Sequence, residues 1–97
     1  MIHPSHVVSP RGRLKNPRRW YIEPNGWWSL MEFDWLDDDT GELEPAIGCR
    51  WNGTPADPAS KGNPISTGYP TWFVLPEPFQ SMAWALLDAA GQEGMGD

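Results

Sequence analysis

The tightest constraint on this chain lies between residues 18 and 51, where alternating apolar positions are cut twice by turn-forming residues. In "RRWYIE", Trp20 and Ile22 alternate with Arg19, Tyr21 and Glu23. "PNG" follows, and Asn25-Gly26 suits the two positive-φ positions of a type I′ hairpin turn. In "WWSLMEFDWL", Trp27, Met31, Phe33 and Trp35 share one face of a strand, while Glu32 and Asp34 point the other way. A two-residue Asn25-Gly26 loop sets Trp20 opposite Met31 and Arg19 opposite Glu32; a three-residue loop including Pro24 shifts that register by one. "DDDTGE" reads as a four- or five-residue hairpin loop. The return strand "LEPAIGCRW" puts Ile47, Cys49 and Trp51 on one face, with Pro45 and Gly48 indicating an edge position or a bulge. A strand–turn–strand–turn–strand order of this kind specifies an antiparallel meander.

Two further segments complete the architecture. "TWFVL" is short and continuously apolar, the pattern of a strand covered on both faces and central in its sheet. "PEPFQSMAWALLDAAG" reads as a helix with Pro78 at its first position and Gly91 in a left-handed cap. Its apolar stripe is Phe79, Met82, Ala83, Leu86 and Ala90 at i, i+3, i+4, i+7 spacing, with Trp84 and Leu87 off its centre. The expected fold is α+β: a small antiparallel sheet of three to five strands with one C-terminal helix packed on it. Residues 1–17 are expected as an extended basic arm or an irregular first strand around Val7 and Val8, 18–91 as a single domain, and 92–97 as a disordered tail.

Ninety-seven residues support one modest core, and Ile, Leu and Val number only fourteen. Seven tryptophans must therefore supply much of the buried surface, at roughly 150–250 Å² for each large aromatic. The net charge of −6 divides unevenly: residues 1–19 carry five cations and no acid, and the remainder carries thirteen acids against Arg50 and Lys61. The arm's cations could contact phosphates, but the acidic body repels the same polyanion, so nucleic acid is disfavoured and pairing with the chain's own acidic surface, or with that of a second copy in a homodimer, is favoured. A single cysteine excludes an internal disulfide and fits a reducing compartment. No apolar run reaches membrane-spanning or signal-peptide length, and the expected setting is cytoplasmic with no membrane partner.

Enzymatic chemistry is the weaker reading. His3 and His6 lie in the arm, Cys49 alternates with core-facing residues, and Glu32 with Asp34 could act as paired carboxylates only if they face a cleft. "DDDTGE" lacks calcium-loop spacing, "KGNP" is not a phosphate loop, and one cysteine with two terminal histidines makes no zinc site. No catalytic residue, metal or cofactor is expected. The stronger site signal is the stretch 52–70, nineteen residues with four prolines and three glycines between Trp51 and Trp72. Structureless loops beyond about 12–15 residues are uncommon in compact domains and are usually functional or disordered. The candidate ligand-binding residues are Trp51, Asn52, Lys61, Asn63, Tyr69 and Trp72.

Across residues 49–76, "RWNG", "KGNP" and "GYPTWFVLP" together resemble small bacterial proteins of the integron gene-cassette type. That resemblance implies a bacterial cytoplasmic setting and an accessory role, and it carries no activity. The expected function is a non-enzymatic binding module that holds a small ligand or partner with the 52–70 loop. The alternatives are an acidic regulator of a basic partner protein and a small hydrolase using Glu32 and Asp34.

Overall fold

The structure, a computed structural model, describes residues 3–93. Its centre is a long antiparallel pair, β3 (Trp28–Leu36) and β4 (Leu43–Trp51), registered from Trp28 opposite Trp51 to Leu36 opposite Leu43. The hairpin closes through a four-residue loop, with Asp37 N–H donating to Glu42 O at 2.9 Å and the Asp37 carboxylate capping the N–H groups of Asp39 and Thr40. On the far side of β3 run β1 (Leu14–Lys15) and β2 (Trp20–Ile22). Both are antiparallel to β3, but six steps along the edge, from Leu14 to Trp20, match only four on β3, from Trp35 to Met31. The two extra residues are accommodated near Asn16, whose φ of 50° turns the chain at a position where asparagine is tolerated.

The β2–β3 register sets Trp20 opposite Met31, and the Arg19 guanidinium bonds both oxygens of Glu32 at 3.0 and 3.2 Å. The turn itself differs from expectation. Gly26 N–H donates to Glu23 O at 2.8 Å, and the positive φ falls on Gly26 but not on Asn25. Pro24 supplies the reason: its fixed φ favours a turn that starts at Glu23, so the loop is Pro24–Trp27 in length and not a type I′ pair.

β7 (Phe73–Val74) pairs with the other side of β4. It is an edge strand two residues long, where a covered central strand was expected. Trp72 and Val74 point into one core, whereas Phe73 and Leu75 point to the opposite face, which the helix covers only in part. Against the expectation for β4, Gly48 sits between two partners: a Cβ there would come within 2.9 Å of Trp72 Cβ and 3.1 Å of Phe33 Cε2. Pro45 does lie on a free edge. The Ile47 carbonyl accepts from Leu75 N–H, so the nitrogen two residues earlier faces the same side, beyond the reach of β7.

Each face of the sheet has its own core. One is Val7, Leu14, Met31, Phe33, Ala46 and Trp72. It is covered by the N-terminal segment, which makes a single 3-10 turn over Pro4–His6 and packs into the body where an extended arm was expected. The other is Leu30, Ile47, Ala83 and Leu87, covered by α1 (Glu77–Ala90). The seated stripe is rotated from the expected one. Ala83 and Leu87 are buried, with Trp84 and Leu86 beside them, while Phe79 and Met82 are exposed. Polar anchors select this rotation: Gln80 Nε2 donates to Leu75 O at 2.8 Å and Trp84 Nε1 to Glu32 Oε2 at 2.6 Å.

Gly91 is extended, at φ −67° and ψ 150°, and is not a left-handed cap. It is required for another reason, because a Cβ would lie 2.5 Å from Leu87 O. The chain then continues along the sheet, with Gln92 and Trp20 exchanging backbone hydrogen bonds of 2.7 and 3.0 Å. Residues 94–97, the rest of the expected tail, lie outside the described residues, as do Met1 and Ile2.

Candidate functional site

Past Trp51 the strand pair ends and the long loop begins, anchored at Asn52. Asn52 is fully buried: its N–H donates to Trp27 O, its Oδ1 accepts from Ser29 Oγ at 2.9 Å, and its Nδ2 donates to Gly26 O at 3.1 Å. The chain leaves through Gly53 and returns through Gly62, both at positive φ, where side chains would collide with neighbouring backbone. Asn63 then exchanges backbone hydrogen bonds of 2.8 and 3.0 Å with Trp51, so residues 52–62 form a closed loop. Next comes a small hairpin, β5 (Ile65–Ser66) and β6 (Tyr69–Pro70), turned by Thr67 and Gly68 at φ 51° and 80°. Both turn residues are at positive φ, so the type I′ geometry expected at Asn25-Gly26 occurs here. Arg50 holds the seam between the closed loop and β7, donating to Thr71 O at 3.0 Å and to Lys61 O.

Between this loop, β4 and β7 lies an open hollow of about 910 Å³ on the helix side of the sheet. Leu30 and Cys49 form its floor, Trp28 and Trp51 one wall, Phe73 and Leu75 another, and Asn63, Pro64 and Ile65 the rim. Trp51 is 57% exposed and Phe73 55%, so two large aromatic faces are open to the hollow. Burial pushes the Cys49 thiol above its usual range, so it remains protonated at neutral pH and is a poor nucleophile.

The six sequence-selected residues separate in space. Trp51 and Asn63 share the hollow. Lys61 borders an adjoining recess of about 620 Å³, with its Nζ donating to Gly68 O at 3.0 Å. Tyr69 is exposed over a different recess, beside His6 and Arg11. Asn52 is consumed internally. Trp72, 5% exposed, belongs to the core on the opposite face, its indole N–H donating to Val7 O at 2.7 Å. The other residues that line the hollow, Trp28, Leu30, Cys49, Ile65, Phe73 and Leu75 among them, lie outside the sequence expectation. For Phe73 and Leu75 a signal existed: strict alternation within "TWFVL" separates them from Trp72 and Val74.

Glu32 and Asp34 lie elsewhere on the helix-side face, inside an ion-pair cluster. Arg19 holds Glu32 and reaches Asp88 at 2.6 Å; Arg18 approaches Glu32 at 3.5 Å and Asp34 at 2.9 Å. Hydrogen bonds from Arg19 and Trp84 keep the Glu32 carboxyl below its ordinary range, and those from Asn16 and Arg18 do the same for Asp34. Among the described residues, no group of three or more His, Cys, Asp or Glu side chains is placed to hold a metal ion, and no helix is long and apolar enough to cross a membrane. Comparison of the chain with protein-family models, curated proteins and solved structures gives no match.

Proposed function

We propose that this protein is a non-enzymatic binding module whose site is the hollow between Trp51, Phe73 and the 63–65 rim. One observation carries the reading: Trp51, Ile65 and Phe73 surround a single concavity with their side chains exposed, while the same chain buries Phe33, Met31 and Trp72. The volume falls in the usual range for small-molecule sites, and the lining is mostly apolar with few polar groups, as such sites are. The ligand is therefore a small molecule or peptide side chain with a flat apolar body. Cross-strand pairing fixes Trp51, and pairing with β4 fixes Phe73, so both walls are held before a ligand arrives.

A neutral fluorescent probe, N-phenyl-1-naphthylamine, tests this reading. Its emission is expected to rise on titration with the protein, and Trp51→Ser and Phe73→Ser are each expected to weaken binding by about fivefold or more, as loss of an aromatic contact does. Far-ultraviolet circular dichroism should stay unchanged in both. No enhancement with the wild-type chain, or equal affinity in both variants, would contradict the assignment.

A further inference from the structure

The walls of the hollow are aromatic, and the polar side-chain groups they carry are chiefly donors. The indole N–H groups of Trp72 and Trp84 are bonded within the protein, and that of Trp20 is buried. For Trp27, Trp28 and Trp51 no indole partner is seen among the described residues, and an indole nitrogen can only donate. Asn63 adds an exposed side-chain amide, also without a partner among the described residues. In the adjoining recess, Ser60 Oγ accepts from the Thr54 N–H, and the Lys61 ammonium is a further donor. Among the described residues, no carboxylate borders either concavity. A matched occupant therefore brings acceptors and few donors. A sugar fits this set poorly, because each hydroxyl adds a donor that no carboxylate is there to take.

Charge narrows the choice again. Arg50, the one basic or acidic side chain among the residues bordering the hollow, is spent on the Thr71 and Lys61 carbonyls, and the Cys49 thiol stays protonated. An ionised group in the hollow would lose water and gain no counter-charge, so an uncharged occupant is the complementary one. Shape supplies the third observation. Trp51, Asn63 and Ile65 border both concavities, so the exposed Trp51 is a wall between two compartments, with Trp28 and Phe73 in one and Trp27, 47% exposed, in the other.

A proline-rich chain has all three properties. Proline lacks an N–H, its carbonyls stay free because a polyproline II helix has no internal hydrogen bonds, and the segment is uncharged. Three residues per turn return a ring to the same face about every 9 Å, so rings three apart can seat on either side of one tryptophan. Its conformation is set before binding, and aromatic-lined grooves exploit that low entropy cost. We infer that the hollow and the recess together take a proline-rich segment of another protein in the polyproline II conformation, with its rings on either side of Trp51. This inference rests on the hollow being a binding site and adds the chemical class of its occupant.

The test compares acetyl-octaproline-amide with an acetylated glycine–serine octapeptide amide, by titration of backbone and indole N–H chemical shifts at pH 7. Octaproline is expected to bind about tenfold or more tightly, the gain that ring contacts and a preset conformation supply. The largest shifts are expected at the amides of Trp51, Asn63 and Phe73 and at the indole N–H groups of Trp28 and Trp51. Trp51→Phe keeps a ring face and loses the N–H. It is expected to weaken octaproline about three- to tenfold, the range of one net hydrogen bond, and to leave N-phenyl-1-naphthylamine binding in place. Should that variant fail to fold, the wild-type comparison of the two peptides decides. Equal affinity for the two peptides, or binding of the naphthylamine alone, would overturn the proline assignment and leave the apolar site standing. Shifts centred on Val8, Arg11 and Tyr69 would place the peptide in the recess beside His6 and overturn it too. Shifts at Trp51 and Phe73 that depend on protein concentration without peptide would make a second copy the occupant and overturn it. Binding of neither peptide nor naphthylamine would remove this inference and the binding site together.

Discussion

Two asparagines in one loop illustrate how little a residue's identity says about its task. Asn52 and Asn63 both offer an amide in a glycine- and proline-rich setting, and either could serve a ligand. The fold gives Asn52 to Ser29 and Gly26 inside the protein and leaves the Asn63 side chain at the rim of the hollow. What separates them is tertiary. β3 and β4 end together at Trp28 and Trp51, which places position 52 against the Trp27 carbonyl, and no local pattern shows where two strands stop pairing. Asn52→Ala leaves the buried Ser29 hydroxyl and the Gly26 carbonyl short of a partner. Its expected cost is about 2–3 kcal/mol, a fall of roughly 10–20 °C in melting temperature for a domain of this size. Asn63→Ala should change stability by less than about 0.5 kcal/mol, because its structural bonds are main-chain. Thermal unfolding followed by circular dichroism checks both, and a reversed order would mean that the loop is anchored at 63.

Among the elements, those defined by alternation are legible in the sequence, and those defined by turn type or by coverage are not. The β3–β4 hairpin, its four-residue loop and the Trp20–Met31 register follow from residues close in sequence. β7 is not legible as an edge strand, because an unbroken apolar run looks the same in a central strand and beside a hollow: Phe73 is apolar and yet open to solvent. The β5–β6 hairpin is hidden by Thr67, since threonine seldom takes a positive φ and Asn-Gly is the stronger type I′ signal. The helix is legible but its rotation is not, because counting apolar positions gives no weight to the polar ends of Gln80 and Trp84. Its seating is testable. Leu87→Ala is expected to cost about 2–4 kcal/mol, as truncation of a buried leucine does. Met82→Ala, at a side chain 73% exposed, should fall within about 0.5 kcal/mol of wild type. Urea unfolding of both variants decides between the stripes, and a larger loss at Met82 would refute the observed one.

At the scale of the whole molecule, the division into a basic N-terminus and an acidic remainder was plain in the sequence, while its destination was not. The chain folds the cations onto its own acids: Arg13 meets Asp38, and Arg18 and Arg19 meet Glu32, Asp34 and Asp88 across the β1–β2 edge and α1. Glu32 is the hub, bonded by Arg19 and Trp84 and approached by Arg18, so it ties edge strand, central strand and helix together. Its carboxyl and that of Asp34 titrate below their ordinary values of 4.5 and 3.8 in the folded protein, chiefly through the hydrogen bonds from Arg19 and Asn16 respectively. A depressed folded-state pKa means that the unfolded chain takes up protons first as pH falls. The stabilisation is therefore complete above the ordinary carboxylate range and is lost as pH drops through it toward the lower folded values. Melting temperature should accordingly hold from pH 7 to about pH 5 and decline below that. Glu32→Gln, which keeps an acceptor for Trp84 but gives up the charge facing two arginines, should melt lower at pH 7 and show a shallower decline in acid. Parallel acid limbs for the two proteins would show that the cluster does not couple the folded N-terminus to the sheet and helix.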